Sequence, residues 1–217
     1  MHIPDGFLDA KTLAATAVAS AGVLAYALRR TEKELEERRF PLMGVVSAFV
    51  FAAQMLNFPV AGGTSGHLLG GVLTAVLLGP WAGSLALATV LIIQCLIFQD
   101  GGLLALGANI FNMAVLGTIG GYYVYRGLGR LFKNNPLAQA AGAAWFSVVV
   151  AAAACSLELA ISGTSPLPIV LPAMIGVHAL IGIGEASITA AVLSIVWKTR
   201  PDLLERGFAY SSISGKA

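Results

Sequence analysis

The chain opens Met1-His2-Ile3-Pro4-Asp5-Gly6. A peptide that begins X-His can present three nitrogens in one plane: the terminal amine, the deprotonated amide of residue 2 and the imidazole of residue 2. Fused chelate rings join them, and one equatorial position is left. His67, which closes the loop Gly62-Gly63-Thr64-Ser65-Gly66-His67, could fill it. Four coplanar nitrogens favour Ni(II) or Cu(II), with Co(II) as a competitor, whereas Zn(II) prefers a tetrahedron. Affinity should rise with pH, because amine and amide must both lose protons to bind. Only three histidines occur in the sequence, and two of them fall where a single site could use both.

Such chemistry needs a free amine. The stretch before the first apolar run is too short for a charged region, an apolar stretch and a cleavage site, so the written start is expected to be the mature one. The large residue at position 2 would protect Met1 from removal. Ile3-Pro4-Asp5-Gly6 reads as a β-turn with Pro second and Gly fourth, folding the arm back. Thr64 or Ser65 is expected to cap a helix whose first turn carries His67, where the helix dipole favours the neutral ring. A ligating imidazole also needs an acceptor for its other nitrogen. Asn57, Asp100, Asn109 and Glu158, all near ends of apolar runs on the same side, are the candidates for that supporting role.

The elements that must position these groups are membrane helices. Of the 217 residues, 57% are hydrophobic and 11% charged, and the mean hydropathy is +0.82; soluble domains average about 25% charged. The sequence predicts an all-α integral membrane bundle of seven transmembrane helices. After an extracytoplasmic arm at 1–10, spans are expected at 11–28, 41–58, 66–78, 81–98, 103–125, 137–161 and 167–197, with a tail at 198–217. At 1.5 Å per residue, eighteen residues give roughly 27 Å, close to a hydrocarbon core. Apart from Lys11, every Lys and Arg lies in the connectors after spans one and five or in the tail. By the positive-inside rule the N-terminus is outside and the C-terminus cytoplasmic. The arm and the Gly-, Ser- and Thr-rich loops around residues 62–67, 99–102 and 162–165 then share the exterior side. A net charge of +2 with no basic stripe argues against nucleic acid as a partner.

Other residues admit plainer readings. Cys95 and Cys155 sit in apolar runs without a ligand at metal spacing, which suits packing. Rows of small residues, Ala17, Ala21 and Ala25 or Gly117 with Gly121, suit close helix packing, or a docking surface where they face lipid. His178 has Glu185 two turns further along its helix. Intramembrane ionisable residues point to function, although this pair could satisfy itself. A rival reading takes Gly63-Thr64-Ser65-Gly66 as the GxSG pattern of rhomboid intramembrane serine proteases, with Ser65 as nucleophile and His178 as base. It shows no oxyanion donors and leaves Met1 and His2 idle.

Met1 to Gly6, Gly62 to Gly71 (GGTSGHLLGG), Asp100-Gly101-Gly102, Gly107-Ala108-Asn109 through Asn112-Met113, and His178 through Gly182 to Glu185 resemble the CbiM/NikM family over essentially the whole chain. These are substrate-binding S components of energy-coupling factor (ECF) transporters for cobalt and nickel. The resemblance implies a non-enzymatic subunit of the cell membrane that captures Ni(II) or Co(II) as cargo through Met1, His2 and His67, with no catalytic cofactor. It implies as partners a membrane T component, ABC-type ATPases and a small accessory membrane subunit, expected to be separate here. No Walker A pattern occurs in the sequence, so ATP hydrolysis would belong to another chain.

Overall fold

The computed structural model describes residues 1–36, 39–60, 64–132 and 135–204. Gly62, Gly63 and the tail beyond Leu204 lie outside the described residues. Among them, seven helical rods form. Helix α1, Ala10–Glu34, starts where Asp9 accepts a hydrogen bond from the Thr12 amide at 3.0 Å, an N-cap that satisfies an otherwise orphaned donor. Helix α2, Phe40–Gln54, begins with Pro41 in its first turn, where the missing N–H costs nothing.

The next stretch departs from the expected spans 41–58 and 66–78. Helix α2 stops at Gln54, and strand β1, Phe58–Val60, pairs antiparallel with strand β2, Thr64–Gly66, placing Pro59 opposite Ser65. Pro59 biases Phe58 away from helix. Helix α3 covers only Gly71–Leu78. The expected cap at Thr64 or Ser65 is therefore incorrect, and His67 is not in a first helical turn. Gly70 precedes the helix at φ +77°, a left-handed conformation that breaks a right-handed helix, so residues 67–70 join no helix.

Helix α3 is roughly 12 Å long and cannot cross a bilayer alone. All eight of its residues are buried, against α4 (Pro80–Phe98), α7 (Pro136–Ile161) and the fifth rod. That rod joins α5 (Leu106–Ile110), a π-helical stretch (Phe111–Gly120) and α6 (Gly121–Leu128) without a break. A Cβ at Gly71 would lie 2.6 Å from the Gly117 carbonyl oxygen, so glycine is what lets α3 touch the π stretch. Helix α8, Leu167–Thr199, completes the bundle. Four helices, α1, α4, α7 and α8, are long and apolar enough to cross a membrane.

The small-residue rows divide between the two readings. A Cβ at Gly121 would lie 2.8 Å from Val72 Cγ2 and 3.0 Å from Ser147 Cβ, so that row is internal packing. Ala17, Ala21 and Ala25 are exposed, although the backbone of Ala17 seats Gly107. Cys95 and Cys155 are free, buried thiols.

Hydrogen bonds collect the arm, the β1–β2 hairpin, the 99–105 loop and the 162–166 loop at one end of the bundle: Met1 to Ser65, Asp5 to residues 103–105, Phe7 to Thr164, and Asp9 to Ser162. Met1 and Ile3 are part of the apolar core at that end, with Leu69, Met113, Cys155 and Met174. A chain terminus used as core is the fold's most consequential feature for the site.

Candidate metal centre

The arm turns back at Asp5-Gly6, one residue later than the sequence suggests, with Gly6 at φ +86°. Past this turn, Asp5 accepts from three successive amides ahead of α5: Leu103 at 3.0 Å, Leu104 at 2.8 Å and Ala105 at 3.2 Å. Asn109 holds Ile3 from both sides, accepting from its amide at 2.8 Å and donating to its carbonyl at 3.1 Å. Gly102 N donates to the same carbonyl at 2.9 Å. The close fit explains the double glycine: a Cβ at Gly102 would lie 2.2 Å from Asp5 Oδ1.

Clamped this way, the first three residues disappear from solvent. Relative exposure is 0% for Met1, 4% for His2 and 1% for His67. The Met1 amine donates to Ser65 O and, at 3.1 Å, to Ser65 Oγ. The His2 amide donates to Ser65 Oγ at 3.3 Å. The His2 and His67 rings stack with centroids 4.6 Å apart and planes 27° from parallel. Arm and loop thus bring together the groups that the sequence singled out.

Burial disfavours charge here. It lowers the amine from its ordinary 8.0 to about 5. Burial first, and the neighbouring amine second, lower His2 from 6.5 to about 4 and push His67 well below its ordinary value. All three groups are therefore neutral at pH 7, which is the state a metal requires.

The proton count of the two rings then decides which lone pairs are free. His67 Nδ1 lies 2.7 Å from the Leu68 carbonyl and donates to it, leaving the lone pair of Nε2 buried without a protein partner. His2 faces two acceptors, Gln94 Oε1 at 3.2 Å from Nε2 and Asp100 Oδ1 at 3.3 Å from Nδ1, yet a neutral imidazole has one proton. Asn57 orients that carboxylate, donating to Asp100 Oδ2 at 2.8 Å. Gln94 Nε2 is itself buried without a partner among the described residues and in the amide's other orientation would donate to the His2 ring, which leaves His67 Nε2 as the acceptor in excess. A buried acceptor without a donor costs about 1–3 kcal/mol, and a cation would satisfy the excess. Among the described residues no cluster of three His, Cys, Asp or Glu side chains forms a metal site.

The remaining candidates sit elsewhere. Glu158 accepts from Asn112 Nδ2 at 2.6 Å and so secures the π stretch rather than an imidazole. Asn109 holds the backbone of Ile3, not a ring. His178 bonds through Nδ1 to the Met174 carbonyl at 2.8 Å, while its Nε2, buried like that of His67, has no hydrogen-bond partner among the described residues, and the ring lies beside the Ser65 backbone; Glu185 accepts from the Leu69 and Gly70 amides, each at 2.7 Å. Ser65 Oγ serves the amine and the His2 amide, which leaves it no nucleophile's arrangement with His178. Sequence reasoning missed Gln94 beside His2, and Gln54, whose Nε2 donates to the Leu69 carbonyl at 2.7 Å. Their signal was available: each is a buried polar residue in an otherwise apolar helix.

The family model for CbiM, "cobalt uptake substrate-specific transmembrane region", matches residues 2–203. A protein of Archaeoglobus fulgidus, named for nickel transport as a fused NikMN, is 46% identical over 208 residues, covering 95% of this chain and 68% of the relative. The cobalt transport protein CbiM of Sorangium cellulosum is 32% identical over 214 residues, 95% of each chain. A crystal structure titled as a transition metal transporter superposes with a TM-score of 0.87 at 36% identity, covering 100% of both chains. Metal transporters, not proteases or other enzymes, are the chain's relatives.

Proposed function

This chain belongs to the CbiM family of cobalt and nickel transport proteins, and on that premise we propose that it is the metal-capturing S component of an ECF-type uptake transporter. The cargo is Ni(II) or Co(II), with Ni(II) preferred for a planar nitrogen set. Four nitrogens hold it: the Met1 amine, the His2 amide, His2 Nδ1, which lies within chelate reach of its own amide, and His67 Nε2. The observation that carries this reading is the buried, unpartnered Nε2 of His67 stacked against His2 beside an uncharged amine.

On capture the His2 amide would give up its proton to water, and the amine, that amide, His2 Nδ1 and His67 Nε2 would form the coordination shell. Gln94 then accepts the His2 Nε2 proton and Leu68 the His67 Nδ1 proton, fixing both tautomers for metal binding. The protein lies in the cell membrane with the arm outside and the C-terminus in the cytoplasm. A membrane T component and ABC-type ATPases, with a small accessory membrane subunit, supply the energy for release.

Isothermal titration with Ni(II) tests the ligand set. His2→Ala and His67→Ala should each weaken binding beyond the roughly 10–100-fold typical of outer partners. One residue added before Met1 keeps every side chain and moves only the amine, and should be as damaging. The bound wild type should be yellow and diamagnetic. Tight binding in the extended protein, or a paramagnetic high-spin form, would sink the four-nitrogen site.

A further inference from the structure

His67 lies in a segment with no helix of its own to fix it. Residues 67–70 link β2 to α3 without regular structure, and the ring's bond to the Leu68 carbonyl sets its rotation but not its place. The place is set from two other helices. Glu185, on α8, accepts from Leu69 N through Oε2 and from Gly70 N through Oε1, both at 2.7 Å. Gln54, the last residue of α2, donates to the Leu69 carbonyl at 2.7 Å. All three residues are at most 1% exposed. One carboxylate gripping two adjacent amides fixes orientation as well as position, and Gly70 at φ +77° fits against Val50, whose Cγ2 a Cβ would approach to 2.7 Å.

We propose that Glu185 and Gln54 are positioning residues for the fourth metal ligand: they hold the 69–70 peptide from inside the bundle so that His67 Nε2 meets the plane of the arm. The idea rests on His67 being a ligand. A carboxylate inside a membrane helix is costly and is retained where it has a task; here its task lies two residues from the imidazole. Ser65 ties the amine and the His2 amide to the same segment, but the arm's other anchors, Asn109, Gly102 and the 103–105 amides, are on other elements. A shift of α8 would therefore bear first on the fourth ligand.

The test uses the full chain in detergent, with Ni(II) as probe and absorption spectra alongside titration. Outer partners of metal ligands change affinity by roughly 10–100-fold. Glu185→Gln keeps one acceptor and turns an NH2 group toward the second amide, so about tenfold weaker binding is expected; Glu185→Ala should approach a hundredfold, and Gln54→Ala should fall below Glu185→Gln. In each the spectrum should move toward that of His67→Ala, because the arm's three nitrogens still bind, and added imidazole should restore it by filling the open position. Gln54→Ala removes no charge and carries the test should Glu185→Ala fail to fold. Affinity within twofold of wild type with an unchanged spectrum in Glu185→Gln and Gln54→Ala overturns the proposal. So does weakened binding that imidazole cannot restore. If His67→Ala itself changes neither affinity nor spectrum, it is the four-nitrogen site that fails, which separates the two claims.

Discussion

The arm and the His67 loop meet at one pair of stacked rings, yet they are held by opposite means. The arm is anchored in part at its solvent side: Asp5 is exposed and its bonds to the Leu103 and Leu104 amides lie at the surface, while Asn109 grips Ile3 from within. The loop is anchored where water has no access, by Glu185 and Gln54. Surface hydrogen bonds exchange with water at a net worth of about 0.5–1.5 kcal/mol each, whereas a buried group left without its partner keeps the full desolvation cost. The arm is thus the half that can open to admit an ion, and the loop is the fixed half against which it closes. Changes to arm anchors should act by releasing three nitrogens together, and changes to loop anchors by displacing one.

The strongest way to break this division is Gly102→Ala. Its new Cβ would lie 2.2 Å from Asp5 Oδ1 and 2.3 Å from Asp5 N, both fixed in the turn, so the arm must leave. Ni(II) affinity should drop more than about a hundredfold, past the range of outer-partner effects, toward that of a free Met-His peptide. Helix content by circular dichroism should be largely kept, because the helices' backbone hydrogen bonds are their own, although Met1 and Ile3 leave the core. A variant that binds like wild type would show that the arm need not dock.

Next in size is the response to pH, which sharpens the comparison because only the docked arm has a depressed amine. With that amine at about 5 instead of 8.0, binding between pH 6 and 8 releases only the amide proton. The affinity should then rise about tenfold per pH unit. Gly102→Ala, its amine back in water, should rise about a hundredfold per unit below pH 8, since two protons leave. Without metal the sign for stability follows from the same depression: the docked arm is fully favoured above pH 8 and loses that support as pH falls toward 5. His2 adds the same sign below 6.5, down to about 4. Titrations at several pH values, with thermal melts of the metal-free protein, would check both.

Much of the arrangement was legible in the sequence, and what was not has physical causes. The X-His start and a histidine closing a glycine loop announce themselves by residue type; Asp100 and Asn57 lie in series on His2, but on Nδ1, whereas Gln94 faces Nε2, the nitrogen for which a supporting acceptor is expected. The start of α3 was misread because helix periodicity cannot see a left-handed Gly70, nor a carboxylate more than a hundred positions later that takes the amides a helix would otherwise need. The hairpin escaped because its strands are three residues each. Gln94 and Gln54 were passed over for a different reason: in an apolar helix each reads as an isolated polar interruption, and only tertiary contact gives it a partner.

The smallest effect should come from the outermost arm anchor, and Asn109 gives it a scale. Asn109→Ala removes two buried bonds to Ile3 and should cost about tenfold in affinity, the low end for a group that supports ligands at one remove. Asp5→Ala removes three bonds, yet two of them, to Leu103 and Leu104, are exposed where water replaces the carboxylate, and only the Ala105 amide is partly buried. Its cost should stay below tenfold, even though it breaks more bonds than Asn109→Ala. The pair therefore tests burial against bond count. An Asp5→Ala loss larger than that of Asn109→Ala would mean that the arm is held mainly from its surface turn. The reverse order would place its hinge at Asp5 and its grip at Ile3, one residue from His2.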